Sequence, residues 1–225
     1  MTSATSHDDV EITVRRAARA LGRHGLVHAY GHCSQRLDAD HFLVCKAKPM
    51  GMIKPGEAGT VVPVRGPLPD GVLGEVRIHR EIYRRRPDIG GIVRSMPPKA
   101  MSLSALGCTP RMLHGMGTYF SPETPLWDDP QLIREDDAAE RLADLMGESP
   151  ALVMRGNGVV TAGDSLQSAV VLAWYLEDAA RVELDCRGSG LSPRVISTDE
   201  AARRATRAGL IFERMWDYLT DGDPE

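Results

Sequence analysis

The chain has 225 residues, of which 42% are hydrophobic and 26% are charged, and its formal net charge is −4. These values are ordinary for a globular protein with a sizeable core, and they exclude a disordered or fibrous chain. The acidic balance argues against a nucleic-acid-binding surface, which needs a basic excess to displace counterions from phosphates. The sequence shows no signal-peptide pattern, no apolar run of roughly 18 residues and no paired cysteine spacing, so we expect a cytoplasmic protein with reduced thiols and no membrane contact.

Periodic apolar residues divide the chain into alternating helices and strands. Helical spacing predicts helices at 9–26, 74–86, 97–106, 136–146, 166–186 and 198–219, the last one opened by a capping box of Ser197 and Glu200. Runs of β-branched and apolar residues predict strands at 42–45, 60–64, 89–93 and 151–154, with mixed turn and strand signals at 26–37. Turn signals predict a long loop at 109–129. This alternation predicts an α/β layer architecture in one domain spanning residues 1–225, with a core at about 9–187 and a C-terminal helix at about 198–219.

Four motifs occur in a fixed order along the chain. They are residues 31–36 (GHCSQR), 74–93 (GEVRIHREIYRRRPDIGGIV), 151–158 (ALVMRGNG) and 175–180 (YLEDAA). In register they resemble the class II aldolase/adducin family over about residues 17–182. The resemblance implies a three-layer α/β/α domain with a central mixed, largely antiparallel sheet. It also implies a homo-oligomer, commonly a homotetramer, with active sites at the subunit interfaces.

The metal-ligand positions of the family are altered in this sequence. In metal-dependent members, two histidines follow the buried strand as His-x-His, and a third precedes the glycine after the later strand; three imidazoles suit a divalent ion. The matching positions here are Arg94, Met96 and Asn157. Because arginine stays protonated and cannot bind a cation, we expect Arg94 to replace the charge of the ion. We therefore predict a degenerate metal site, with no metal ligands and no cofactor.

Glu75 matches the acid/base carboxylate of the family. A carboxylate in the first turn of a helix can also be merely structural, because the helix dipole favours negative charge there. His79 lies one turn further on the same face, so the two side chains could share a proton. In relatives a histidine at this position looks structural. The family register favours Glu75 as the catalytic residue, with His79 as a second candidate.

Four cations are candidates for binding anionic groups. Arg94 and Arg155 adjoin predicted strand ends where relatives gather their ligands, and arginine can hold a pair of oxygens with two parallel hydrogen bonds. We expect both to stabilise an oxyanion, with an ordinary surface ion pair as the alternative for Arg155. Lys46 and Lys48 stand where sugar-phosphate aldolases of the family present a Thr/Gly-rich phosphate loop. This departure argues against a phosphorylated substrate.

A cationic pocket with one carboxylate suits a small anionic carboxylic acid. Some family members resemble decarboxylases of aromatic-compound catabolism, acting on carboxylated muconic semialdehydes and dihydroxylated aromatic acids. In such substrates the electrons released with carbon dioxide flow into a conjugated carbonyl, so a cation at that oxygen and a proton donor at the carbon suffice. We therefore predict a lyase that carries out non-oxidative decarboxylation.

The predicted site assigns two sets of roles. The catalytic set is Glu75, Arg94, Arg155, Asn157 and His79. The substrate-binding set is His32, Ser34, Lys46, Lys48, His114 and Tyr119. Within it, His32 or one of the lysines is expected to hold a second carboxylate. His114, in the long loop, is expected to reach a neighbouring active site.

Two other functions remain open at this point. The first is an aldol or retro-aldol lyase, either metal-free or with a zinc, manganese or iron ion held by an atypical ligand set. Those ligands would be drawn from His32, Glu75, His79 and His114. The second is a non-catalytic interaction domain, as in the adducin branch of the family. Retention of Glu75 and the clustered cations argue against that second alternative.

Overall fold

The computed structural model describes residues 6–225. Its α-helices are α1 (His7–Arg23), α2 (Arg77–Arg85), α3 (Pro98–Ser104), α4 (Asp136–Met146), α5 (Leu166–Gly188), α6 (Thr198–Arg204) and α7 (Ile211–Thr220). Its strands are β1 (His32–Arg36), β2 (His41–Val44), β3 (Thr60–Pro63), β4 (Gly91–Ser95), β5 (Leu126–Trp127), β6 (Ala151–Met154) and β7 (Gly158–Gly163). Short 3-10 helices lie at Met50–Met52, Gly74–Val76 and Gly115–Phe120.

The strands form one mixed sheet in the order β3-β2-β1-β4-β7-β6-β5. All neighbouring pairs are antiparallel except β5 and β6, which are parallel. Within the pair β1 and β4, His32 lies opposite Arg94. Because side chains on opposed residues of adjacent strands project from the same face, this register places the imidazole and the guanidinium side by side.

Two apolar cores cover the two faces of the sheet. On one face, Cys33 and Val93 pack with α1, α5 and α7. On the other, Ile92 packs with α2 and α4. Since strand side chains alternate between faces, His32 and Arg94 lie on the α2 and α4 side. The expected three-layer α/β/α architecture with a largely antiparallel sheet is confirmed.

The structure corrects several predicted segments. The predicted helix at 74–86 begins as a 3-10 turn, and only residues 77–85 are α-helical. The predicted helix at 198–219 is two helices, because Gly209 and Leu210 both have positive φ, which a right-handed helix cannot accommodate. The capping box of Ser197 and Glu200 is present at the start of the first of them.

Strand β7 was not predicted, although it is the central partner of β4 and β6. The predicted loop at 109–129 contains the 3-10 helix and the short strand β5. All four cysteines are free, in agreement with the expected thiols. No helix within residues 6–225 has the length and apolar character needed to cross a membrane.

Candidate active site

A cavity of about 720 Å³ opens where β1 begins and β4 ends. Its walls include the following side chains that bear on chemistry: Tyr30, His32, Lys48, Glu75, Arg94, Met96, Arg134 and Asn157. The volume lies in the range typical of sites for small molecules, and such sites combine an apolar lining with a few convergent polar groups. Five of these residues were predicted to act in the site: His32, Lys48, Glu75, Arg94 and Asn157.

Three of the cavity residues form a connected polar triangle. Arg94 Nη2 lies 3.1 Å from Glu75 Oε2 and donates to Asn157 Oδ1 at 2.8 Å. Asn157 Nδ2 donates to Glu75 Oε1 at 3.4 Å, and the backbone N–H of Ile133 donates to the same oxygen at 3.2 Å. The carboxylate of Glu75 is therefore held from three sides, by Arg94, Asn157 and the backbone of Ile133.

Arg94 is almost completely buried, with an exposed side-chain fraction of 2%. Burial lowers its pKa, and the nearby carboxylate of Glu75 partly opposes that effect. A guanidinium starts so far above neutrality that the group remains a cation at any working pH. Arg94 thus supplies a fixed positive charge at a position that is shielded from solvent, where electrostatic effects are strong.

A second network lies behind the cavity wall. His32 Nδ1 is 2.9 Å from His79 Nε2, and His79 Nδ1 is 2.7 Å from Ser34 Oγ. Ser34 Oγ is also 3.0 Å from the hydroxyl of Tyr83. Burial lowers the pKa of both histidines, and Arg94 lowers that of His79 further, to about 3. Both imidazoles are therefore neutral near pH 7.

His79 does not share a proton with Glu75 as the helical spacing suggested. Glu75 faces Arg94 and Asn157, whereas His79 faces His32 and Ser34. The reason is that Glu75 belongs to the 3-10 turn rather than to α2, which changes the angle between the two side chains. His79 and Ser34 are fully buried and do not line the cavity.

Arg155 also differs from its expected placement. Its guanidinium pairs with Asp128 on the surface, and the residue does not line the cavity. The side chain is 38% exposed, which fits the alternative of an ordinary surface ion pair. Arg155 lies in the turn that joins β6 to β7, and only Asn157 of that turn reaches the cavity.

Both predicted lysines form ion pairs with the same glutamate. Lys46 and Lys48 bind the two carboxylate oxygens of Glu57 at 3.0 Å and 2.9 Å. Lys48 lines the cavity, and Lys46 does not. Of the two, only Lys48 is placed to approach a ligand of this cavity.

The two loop residues His114 and Tyr119 lie apart from the cavity of the same chain. His114 Nδ1 accepts from the backbone N–H of Met116, and its Nε2 is 3.4 Å from Asp178. Tyr119 donates its hydroxyl to the carbonyl of Thr206 at 2.5 Å. Within one chain these contacts give both residues local structural roles, and the expected approach of His114 to a neighbouring site stays a prediction.

Arg134 is a cavity residue that the sequence did not reveal. It is exposed at the cavity, and no ion pair within residues 6–225 engages its guanidinium. The backbone contact from Ile133 to Glu75 brings this segment to the site. No local motif marks Arg134, so only the course of the chain before α4 could identify it.

The donor set of this cavity does not fit a divalent metal ion. The positions that hold imidazoles in metal-dependent relatives carry a guanidinium, a thioether and an amide, at Arg94, Met96 and Asn157. A cation beside Arg94 would meet an adjacent positive charge. In the described part of the chain no three His, Cys, Asp or Glu side chains are grouped as a metal would require, and His114 lies away from His32, Glu75 and His79.

Among the solved structures similar to this chain are aldolases. L-fuculose-1-phosphate aldolase from Thermus thermophilus is 28% identical, with a TM-score of 0.72, covering 83% of this chain and 98% of that one. An aldolase II superfamily protein from Pseudomonas syringae is 20% identical, with a TM-score of 0.80, covering 97% of this chain and 93% of that one. The second likeness concerns the fold alone. The fold is thus that of the class II aldolases.

The family model of the class II aldolase and adducin N-terminal domain matches residues 13–184. The chain therefore belongs to this family, and the resemblance inferred from the motifs is confirmed. Among its relatives is the 3,4-dihydroxyphthalate decarboxylase of Arthrobacter keyseri, which is 28% identical over 209 residues. The match covers 84% of this chain and 83% of that protein.

Proposed function

We propose that the protein is a carbon–carbon lyase that decarboxylates a conjugated or aromatic carboxylic acid, using protein cations in place of a metal ion. The observation that carries the proposal is the buried guanidinium of Arg94 in the cavity, paired with Glu75 and Asn157. The likeness to a relative named as a decarboxylase of a dihydroxylated aromatic acid supports the reaction class. A role in aromatic compound catabolism follows as part of the same proposal.

The reaction needs one charge stabiliser and one proton carrier. The bond between the substrate carbon and its carboxylate breaks, carbon dioxide leaves, and the electron pair passes through the conjugated system to a carbonyl oxygen. Arg94 stabilises the resulting enolate oxygen, because a preorganised cation in a dry site favours developing negative charge. The electron pair then returns to form a carbon–hydrogen bond with a proton delivered by Glu75, which takes that proton from water. Each turnover thus consumes one proton and releases one carbon dioxide.

Asn157 and Arg134 complete the arrangement. Asn157 bridges Arg94 and Glu75, so its amide holds the two reacting groups at a constant separation. Arg134 carries an unengaged guanidinium at the cavity and binds a second carboxylate of the substrate. Lys48, which also binds Glu57, assists as a second cation in the cavity wall. Leu73 and Met96 provide apolar contacts for the conjugated or aromatic part.

We further propose a homotetramer with active sites at subunit interfaces. Three large apolar or aromatic side chains at the cavity, Tyr30, Leu73 and Leu132, are substantially exposed in the single chain. Covering such a group by a second subunit would bury apolar surface and close the site to water. Light scattering after size-exclusion chromatography tests this: four subunits support the assembly, and a monomer at micromolar concentration contradicts it.

Carbon dioxide release tests the reaction. The purified protein is incubated with a panel of hydroxylated aromatic acids and dicarboxylate ring-fission products, and evolved carbon dioxide is measured together with the decarboxylated product. Release from at least one acid, abolished in Glu75→Gln, is expected. Absence of release across the panel, together with cleavage of a sugar phosphate to an aldehyde and a ketone, would instead assign aldol chemistry.

A further inference from the structure

The four side chains behind the cavity wall form one unbranched chain of hydrogen bonds. From the inside outward they are Tyr83, Ser34, His79 and His32, and each is buried. Only His32 lines the cavity. Its Nε2 atom is buried and has no hydrogen-bond partner within residues 6–225. An unpartnered polar atom in such a place costs folding free energy, so it is a candidate for a ligand contact.

The donor-to-acceptor direction of these hydrogen bonds follows from counting the available hydrogens. The hydroxyl of Tyr83 donates to the backbone carbonyl of Ser34 at 3.0 Å, which uses its single hydrogen. In the contact between the two hydroxyls at 3.0 Å, Ser34 Oγ must therefore be the donor. That contact uses the single hydrogen of Ser34. The serine oxygen is then only an acceptor toward His79.

The two imidazoles donate in the same direction, from the cavity side toward Tyr83. His79 is neutral and carries one ring hydrogen, which must be on Nδ1 to serve Ser34 Oγ at 2.7 Å. Its Nε2 is then an acceptor, so His32 must donate from Nδ1 across the 2.9 Å contact. His32 is also neutral, because burial lowers its pKa and the positive charge of Arg94 lowers it further. The Nε2 of His32 therefore carries a lone pair and no hydrogen.

Arg94 supplies a donor of complementary kind from the same face of the sheet. Arg94 lies opposite His32 in the β1 and β4 register, and its Nε–H is likewise buried without a partner within residues 6–225. One site thus offers one acceptor and one donor. A carboxylate, which only accepts, would be repelled by the lone pair of His32. A hydroxyl group accepts and donates at once and matches both.

We propose that His32 is held as the Nδ1–H tautomer and that its Nε2 accepts a hydrogen bond from a hydroxyl group of the substrate, which itself accepts from Arg94. His79, Ser34 and Tyr83 are positioning residues that set this tautomer without touching the substrate. The hydroxyl-bearing substrate rests on the proposed function, but the tautomer does not. The expectation that His32 binds a carboxylate is replaced.

The tautomer can be measured without any substrate. Protein labelled with ¹⁵N-histidine is examined by solid-state NMR, and the signals of His32 are assigned by their loss in His32→Gln. The proposal requires a protonated Nδ1 and an unprotonated Nε2 at pH 7. A protonated Nε2 would overturn it, even if the enzyme decarboxylates every acid in the panel. If no acid is decarboxylated, the same spectrum still decides the tautomer, so the two proposals fail separately.

Variants of the positioning residues test whether these residues set the tautomer of His32. In Tyr83→Phe the Ser34 hydroxyl loses its acceptor and is free to donate to His79, so the Nε2–H form of His32 becomes detectable. Ser34→Ala should have a similar effect if Tyr83→Phe does not fold. Tyr218→Phe, at a hydroxyl exposed on α7, is the matched control and should leave the spectrum unchanged. An unchanged His32 spectrum in both folded variants would contradict the positioning role.

Substrate selectivity supplies the functional readout. Once an acid is found that releases carbon dioxide, its O-methylated analogue is compared with it. The wild-type protein should prefer the hydroxyl by roughly ten-fold or more in kcat/KM, because the methyl ether leaves the lone pair of His32 unpaired. Tyr83→Phe should reduce that preference several-fold, and Tyr218→Phe should preserve it. Equal turnover of both compounds by the wild type would contradict the hydroxyl assignment.

Discussion

Glu75 Oε2 and Arg94 Nη2 lie 3.1 Å apart in the wall of the cavity, joining the acid/base carboxylate to the buried cation. The two residues come from the 3-10 turn before α2 and from β4, so the pairing is made by the fold. An ion pair in this position holds both groups in place before a ligand arrives, which is what preorganised catalysis requires.

Removing the carboxylate should abolish turnover. Glu75→Gln keeps the shape of the side chain but cannot carry the proton, so we expect a loss of about 10²–10⁴-fold in carbon dioxide release. Circular dichroism and size-exclusion chromatography should show a folded protein. Glu148→Gln, at a side chain that is 94% exposed, is the control and should keep wild-type activity. Near-normal turnover by Glu75→Gln would remove Glu75 from the mechanism.

Restoring one imidazole should not restore a metal enzyme. We expect Arg94→His with added zinc to remain inactive, because Met96 and Asn157 at the other two positions do not replace histidine. Elemental analysis after dialysis should find less than stoichiometric zinc. Stoichiometric zinc with recovered activity would show that the cavity still supports metal catalysis and that Arg94 is not required as the cation.

Arg134 should affect binding more than chemistry. Arg134→Ala removes a charge-assisted hydrogen bond to the second carboxylate, so KM for a dicarboxylate should rise by roughly 10-fold or more while kcat changes little. A monocarboxylate should be much less affected. Arg65→Ala, at an exposed pair with Asp40, is the matched control. A uniform fall in kcat for both substrates would argue against this binding role.

The side-chain carboxylate of Glu225 should make the free energy of unfolding depend on pH. A hydrogen bond from Arg15, helped by Arg19 and opposed by burial, lowers the pKa of Glu225 from 4.5 to about 2. Because the folded-state pKa is the lower one, the stabilisation is complete above about pH 4.5 and is lost as pH falls toward 2. Glu225→Gln should cost about 1 kcal/mol of unfolding free energy at pH 7, after solvent screening.

Urea unfolding at pH 7, 4.5 and 3 measures this difference. The gap between wild type and Glu225→Gln should shrink from pH 4.5 to pH 3, because the carboxylate becomes protonated in the unfolded chain while it is still ionised in the folded one. Glu213→Gln, an exposed position on α7, provides the control. A gap that is independent of pH would show that the effect does not come from the charge of Glu225.

A methyl group at Gly158 should damage both fold and site. Gly158 has φ +88, and a Cβ there would lie 2.1 Å from the carbonyl oxygen of Ser95, so Gly158→Ala strains β7 against β4. We expect a loss of about 1–3 kcal/mol in the free energy of unfolding. Activity should also fall, because Asn157 is adjacent. Gly188→Ala, in open space at the end of α5, should be neutral. Equal stability of the two variants would contradict the steric argument.

The fold class was predictable because its determinants are local or lie in motifs. Apolar spacing located α4 and β6 with the bounds that the structure shows. The motifs gave the family, and with it the layer architecture. Strand β7 was missed although Val159, Val160 and Thr161 are β-branched, because this short run follows β6 after a tight turn and is bounded by glycines, which favour a loop. The break between α6 and α7 depends on two positive φ angles that apolar periodicity does not report.

The site was predictable only in part. Glu75, Arg94 and Asn157 were expected together from the motifs, and the structure brings them into contact. Arg155 was expected with them, but it pairs with Asp128 on the surface. The positions of the sequence motifs alone could not show which side chain of a short turn reaches the cavity.

By itself, the sequence determined which residues carry charge, which segments form helices and strands, and that imidazoles are missing from the ligand positions, because these properties belong to single residues and short periods. Only the tertiary structure decided that Arg134 lies at the cavity and that Tyr83, Ser34 and His79 line up behind His32. Those contacts join segments distant in sequence, and their directions depend on sheet register and on hydrogen-bond partners that no local pattern encodes.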